Sequence, residues 1–148
     1  SLLQVMEVGD EVKQGPRTVH MNGSTDAGGS YMVEAEGLRI FHAGDLNWWH
    51  WAGEGDEENR EAWDWFFREL SCIREKEVDI AFLPLDTRQQ VAREWGVKAY
   101  LHHIAASLLV PMHAIGQRWV PSFEFRWLFP DQTMWIPKED GVHVRSEI

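Results

Sequence analysis

Apolar and polar positions alternate in short runs over the first third of the chain, then recur at spacings of three and four, which predicts paired strands followed by helices packed against them. Residues 3–8, with Leu3, Val5 and Val8, read as a short strand that ends in the turn Gly9-Asp10. Residues 17–21 read as a second strand, bounded by Gly15-Pro16 and Asn22-Gly23. Residues 30–35 and 38–42 are separated only by Glu36-Gly37, a hairpin signal, because glycine supplies the positive φ that a two-residue turn needs.

From 57 to 76 the pattern is helical: Trp63, Phe66, Phe67, Leu70 and Ile73 form one apolar stripe, with Asp56 as the expected N-cap. Residues 78–83 (VDIAFL) suit a strand covered on both faces. Asp86-Thr87-Arg88-Gln89 has the form of a capping box and opens a second helix reaching to about 103. Residues 108–111 form another buried strand, and weak strands at 134–136 and 142–144 finish the chain. Strands, hairpin, helix, strand, helix, strand is an α/β layered order, and residues 1–148 form a single domain in which loops after strand ends carry function.

Composition narrows the function classes. With 24 acidic against 14 basic residues the net charge is −10, which repels phosphate backbones and anionic lipid. Nucleic acid and membrane are therefore not expected as partners; a small-molecule substrate is. No apolar run is long enough to span a bilayer and no signal-peptide pattern opens the sequence, so a cytoplasmic location is expected. The single cysteine, Cys72, rules out an internal disulfide and reads as a small buried apolar residue. Nine tryptophans are an excess, and Trp48, Trp49 and Trp51 cluster in one loop, either as a pocket wall that stacks on a ligand or as filling against the first helix.

Three apolar strands stop at polar residues: His42-Ala43-Gly44-Asp45, Leu85-Asp86 and Met112-His113. If these strands are neighbours, Asp45, Asp86 and His113 meet at one sheet edge, where carboxylate oxygen and imidazole nitrogen suit a divalent ion. Asp86 has a second reading as the helix cap, and His42, on the same strand face as Leu38 and Ile40, reads as a core histidine. His50 lies in the aromatic loop, where it either contacts substrate or packs. His102 and His103 end a helix and suit its dipole, and no further role is expected of them.

The runs GLRIFHAGDLNWWHW, DIAFLPLDTRQ and LLVPMH resemble the C-terminal half of the metallo-β-lactamase superfamily, in particular its metal-dependent hydrolases, over residues 1 to about 117. The resemblance implies half of an αββα sandwich, with a mixed sheet and helices on one face. It implies that Asp45 is the metal-bridging catalytic aspartate and His113 a metal ligand, with zinc the first expectation and manganese or iron the alternatives. The family's His-x-His-x-Asp-His motif does not occur, and Ser24 stands where a Gly-His-Thr histidine is expected, leaving Asp26 as a substitute ligand. His50, Trp48, Trp49 and Asp86 are the expected substrate contacts.

Two metal ligands are fewer than the three protein ligands of a catalytic zinc site. The expectations are therefore a hydrolase of esters, lactones or amides whose metal site is incomplete in this chain, or a catalytically inactive domain with a structural role, the metal then being absent from the isolated chain. An aromatic carbohydrate-binding module rests on the tryptophan count alone. Half of a two-sheet sandwich leaves one apolar sheet face open, so the expected partner is a second copy of the chain or a polypeptide carrying the missing N-terminal half.

Overall fold

The computed structural model describes residues 3–115 and 117–145. One mixed sheet of seven strands runs in sequence order: β1 (Glu11–Gln14), β2 (Arg17–Asn22), β3 (Ser30–Ala35), β4 (Leu38–His42), β5 (Glu77–Pro84), β6 (Ala105–Met112) and β7 (Thr133–Met134). Strands β1 to β4 form an antiparallel meander, and β4 to β7 are parallel. The β3–β4 hairpin is as expected: Glu36 and Gly37 both have positive φ, 55° and 81°, the primed turn whose twist matches the strands.

Parallel neighbours require crossovers, here the helices α1 (Asp56–Cys72) and α2 (Trp95–His103); a short helix, α3 (Phe123–Leu128), follows β6. Phe66 and Leu70 of α1, Val97 and Tyr100 of α2 and Phe125 of α3 join one core cluster with Met32, Phe41, Ala81 and Leu109 of the sheet. All three helices therefore cover one sheet face, as expected from the sequence. Acids in the first turn of α1, Asp56, Glu57 and Glu58, favour its start.

The opposite face follows from the strand register. Val12, Val19, Val33, Ile40, Ile80, Leu108 and Thr133 are successive partners across the sheet, and beside them run Met21, Tyr31, His42, Phe82 and Val110. Neither row contains an acidic residue. The strand acids Glu11, Glu34, Glu77 and Asp79 alternate onto the other side.

Several expectations are corrected. Residues 3–8 form no strand: Leu3, Val5 and Val8 are 81%, 84% and 62% exposed. The edge strand is instead β1, whose sequence EVKQ is polar because edge strands use charge to discourage further pairing. Asp56 is the first residue of α1 and Gly55 stands at the N-cap. The helix stops at Cys72 because Ile73 turns extended to bury itself in the core, and Cys72, on the other side of the helix from Leu70, is exposed. Trp63, expected in the buried stripe, is 44% exposed.

The expected helix from Asp86 to 103 is broken. A 3₁₀ segment, Thr87–Ala92, contains Gln90 at φ 54°, and α2 begins only at Trp95. Asp86 does cap, accepting from the Arg88 amide, but Gln89 turns inward instead of closing a capping box. Helix α3, capped by Ser122 accepting from the Phe125 amide, was not anticipated; residues 142–144 are irregular. No helix among the described residues is long and apolar enough to cross a membrane.

The chain after β6 is held to α2 by Glu94. Its buried carboxylate accepts from Trp119 Nε1 at 2.9 Å and from the amide and hydroxyl of Ser122, and it faces Lys98 Nζ at 3.4 Å. Burial raises its pKa, but the Ser122 and Trp119 hydrogen bonds and the Lys98 charge outweigh that and hold it below the ordinary 4.5. A carboxyl whose pKa falls on folding adds stability above its unfolded value and loses it as pH falls through the folded value. Glu94→Gln is expected to cost about 1–3 kcal/mol at neutral pH. It should also flatten the decline of melting temperature below about pH 4.5, measured by thermal unfolding across pH.

Candidate metal and substrate site

Loops at the C-terminal ends of β4, β5 and β6 meet at one sheet edge, the place where parallel sheets present side chains for chemistry. Asp45 follows β4 through Ala43 and Gly44. Gly44 has φ 55°, and a Cβ there would stand 2.4 Å from the Gly29 carbonyl oxygen, so only glycine lets the chain pass. The Asp45 carbonyl accepts from Trp49 Nε1 at 2.9 Å and lies 3.2 Å from Thr25 Oγ1, which pins the backbone and leaves the carboxylate free to face the site.

His113 follows β6 with φ 61°, a left-handed conformation costly for a non-glycine residue and often found at functional sites. Its Nδ1 is 3.2 Å from Asp86 Oδ2, and its Nε2 is 3.8 Å from Asp45 Oδ1. Asp86 is fully buried. Burial raises its pKa, but hydrogen bonds from the Arg88 side chain and amide, with the charges of Arg88 and His113, outweigh it and hold the carboxyl below its ordinary value. With Asp86 at Nδ1, Nε2 is the ring nitrogen that faces Asp45.

A buried amide relay ties the loops together. Thr25 Oγ1 donates to the Asn47 carbonyl at 2.7 Å, Asn47 Nδ2 donates to Gln89 Oε1 at 2.9 Å, and Gln89 Nε2 donates to the carbonyls of Trp48 and His50. Asn47 was not singled out from sequence, and Gln89 entered only as the last residue of the expected capping box. Their only signal is an amide two or three residues after Asp45 and Asp86, which is too common to carry weight.

Asp45, Asp86 and His113 are thus brought together. Asp26 lies on an exposed loop, its amide donating to Ser24 Oγ. Among the described residues no three His, Cys, Asp or Glu side chains are grouped to hold a metal ion. Both Asp86 oxygens are engaged by Arg88, so the free donors number two, Asp45 and His113. By itself this chain does not fit a catalytic zinc, which takes three protein ligands.

The tryptophan loop divides. Trp49 tilts against His113 at 5.2 Å between ring centroids and stacks on Trp51 at 6.0 Å, and the Arg88 guanidinium lies 5.8 Å from the Trp51 ring. Trp48 instead packs on Phe66, Phe67 and Trp95, and His50 rests on Trp95 at 4.7 Å. Both side chains therefore pack against residues of α1 or α2. His42 is exposed rather than in the core, because its strand face carries no helix; its Nδ1 accepts from the Gly44 amide. Beside Trp49 and Trp51 a cavity of about 250 Å³ is lined also by Trp65 and by Glu54, Glu58 and Glu61, a surface that disfavours anions.

No protein-family profile and no curated protein matches the sequence. Similarity is found at the level of structure. A protein described as a metal-dependent hydrolase from Parabacteroides distasonis superposes with a TM-score of 0.55 at 17% identity, covering 90% of this chain and 56% of that one. A protein from Thermotoga maritima described as a Zn-dependent hydrolase of the metallo-β-lactamase superfamily superposes with a TM-score of 0.46 at 15% identity, covering 84% of this chain and 53% of that one. The chain shares the α/β fold of the first of these structures. It spans little more than half the length of these structures.

Gly44→Ala is expected to destabilise the protein by roughly 1–3 kcal/mol, because it forces a side chain into left-handed backbone against the Gly29 carbonyl. The same change displaces Asp45, so chemical-shift changes around Trp49 and His113 should accompany the lower melting temperature.

Proposed function

We propose that this chain contributes one side of the active site of a metal-dependent hydrolase acting on small esters, lactones or amides. The observation that carries the reading is the convergence of Asp45 and His113, with His113 Nδ1 held by the buried Asp86. A carboxylate behind a ligating imidazole is the usual support of a metal-binding histidine. In this reading Asp45 and His113 Nε2 are donors to a divalent metal, zinc before manganese or iron. Trp49 forms a substrate wall beside them, and Asp86 acts through His113. The acidic lining of the neighbouring cavity supports a neutral or cationic substrate. Two donors among the described residues leave the site incomplete, so the others come from outside residues 1–148.

A second reading, a catalytically inactive domain with an interaction role, is favoured by the pairing of Asp86 with Arg88 and by the lack of a third donor.

Zinc titration with elemental analysis of the isolated chain separates the two. The hydrolase reading expects zinc to bind more weakly than at a complete site, and Asp45→Asn and His113→Ala each to remove that binding. A chain that ignores zinc, or binds it equally well after both substitutions, supports the inactive domain. Asp86→Asn should weaken zinc binding about 10–100-fold while Asp45 and His113 remain in place.

A further inference from the structure

A tryptophan ring is normally buried, yet three of the nine line one cavity of about 250 Å³: Trp49, Trp51 and Trp65. Trp65 is 42% exposed. Helix α1 supplies it together with Glu58, Glu61 and Ala62, so the cavity opens on the helix side of the sheet. The two loop rings are fixed. Trp49 donates its Nε1 to the Asp45 carbonyl at 2.9 Å. Asn59 of α1 clamps Trp51: its Oδ1 accepts from the Trp51 amide at 3.0 Å, and its Nδ2 donates to the Trp51 carbonyl at 2.9 Å. The rings stack with their planes 5° apart. Walls ordered in advance lose little entropy when a ligand arrives.

We infer that this cavity binds a small methylated ammonium ion of the choline type. The tryptophan faces are the first argument. Indole is the side-chain ring that attracts a cation best, and Trp51 already draws one, with the Arg88 guanidinium 5.8 Å from its centroid. Charge is the second. Glu54, Glu58 and Glu61 line the same cavity. Among the described residues none of the three has a lysine, arginine or histidine nitrogen within 4.0 Å. Their charge is left for a ligand to meet.

The walls also select the kind of cation. Indole faces accept no conventional hydrogen bond, so a primary ammonium gives up water there without replacement. A charge spread over methyl groups is weakly hydrated and loses less. The volume sets the size, since sites for drug-sized ligands run to about 300–1,000 Å³. The inference stands on this cavity and holds whether or not Asp45 and His113 carry a metal.

Titration of choline into the intact chain, followed by calorimetry and by the indole N–H resonances, tests it. Saturable binding is expected, with shifts at Trp49, Trp51 and Trp65 and none at the buried Trp119. Affinity should fall as salt rises. Trp65→Leu should weaken binding about 2- to 30-fold. Trp63→Leu, on the same helix, 44% exposed and outside the cavity, leaves it unchanged. Should Trp65→Leu fail to fold, Glu58→Gln combined with Glu61→Gln decides: both glutamates are exposed, and their loss should weaken binding and flatten its salt dependence. Dimethylbutanol, the uncharged carbon isostere of choline, should not compete. Phosphocholine should bind more weakly than choline, because its phosphate meets the glutamates. No saturable binding, equal binding of dimethylbutanol, or an equal loss in Trp63→Leu would overturn the inference. Tighter binding of phosphocholine would overturn it too, and make a phospholipid headgroup the ligand.

Discussion

Strand β5 has a parallel neighbour on each side, and a chain reaches a parallel neighbour only by leaving the sheet and crossing back. Both crossovers step in the same direction, so the handedness that governs them sends α1 and α2 to one face. The arrangement depends on this constraint. It buries Phe41, Ala81 and Leu109 beneath the helices and places Val33, Ile40 and Ile80 on the opposite face. It also places the ends of β4, β5 and β6 side by side, so three loops far apart in sequence open onto the same edge.

At that edge the buried amides of Asn47 and Gln89 do what a single longer helix cannot. Gln89 must point inward to reach Asn47 and the carbonyls of Trp48 and His50, and this costs the chain its helical course at Gln90. The exchange is favourable because each of these groups is buried or half-buried, where an unmade hydrogen bond costs more than a broken turn. The consequence for chemistry is that Asp86 sits at a rigid cap, held by Arg88, at the distance needed to orient His113.

The same one-sided coverage explains the composition of the two faces. The strand acids lie on the helix side near the strand ends, where Asp79 accepts from the Arg39 amide and Glu34 faces Arg39. The central rows of the other side, from β2 to β6, hold no acidic residue and are apolar apart from His42 and Tyr31. Polar patterning of this kind is consistent with a face selected for contact with another sheet rather than with water.

The hairpin 30–42, the amphipathic stripe of α1 and the buried strands β5 and β6 were legible from sequence because each is specified locally, by turn chemistry or by a hydrophobic period. So were Asp45, Asp86 and His113, since each ends an apolar strand. Elements whose identity depends on distant partners were not legible. The apolar residues at 3–8 form no strand, while polar EVKQ pairs with β2. His42 reads as a core residue until the fold shows that its face carries no helix. Asp26 lies on a loop that faces solvent, and Trp48 and His50 pack on Trp95 at the start of α2. Local patterns settle which segments are strands and helices. Only packing decides which face is covered and which side chains meet, since both are set by contacts between residues far apart in the chain.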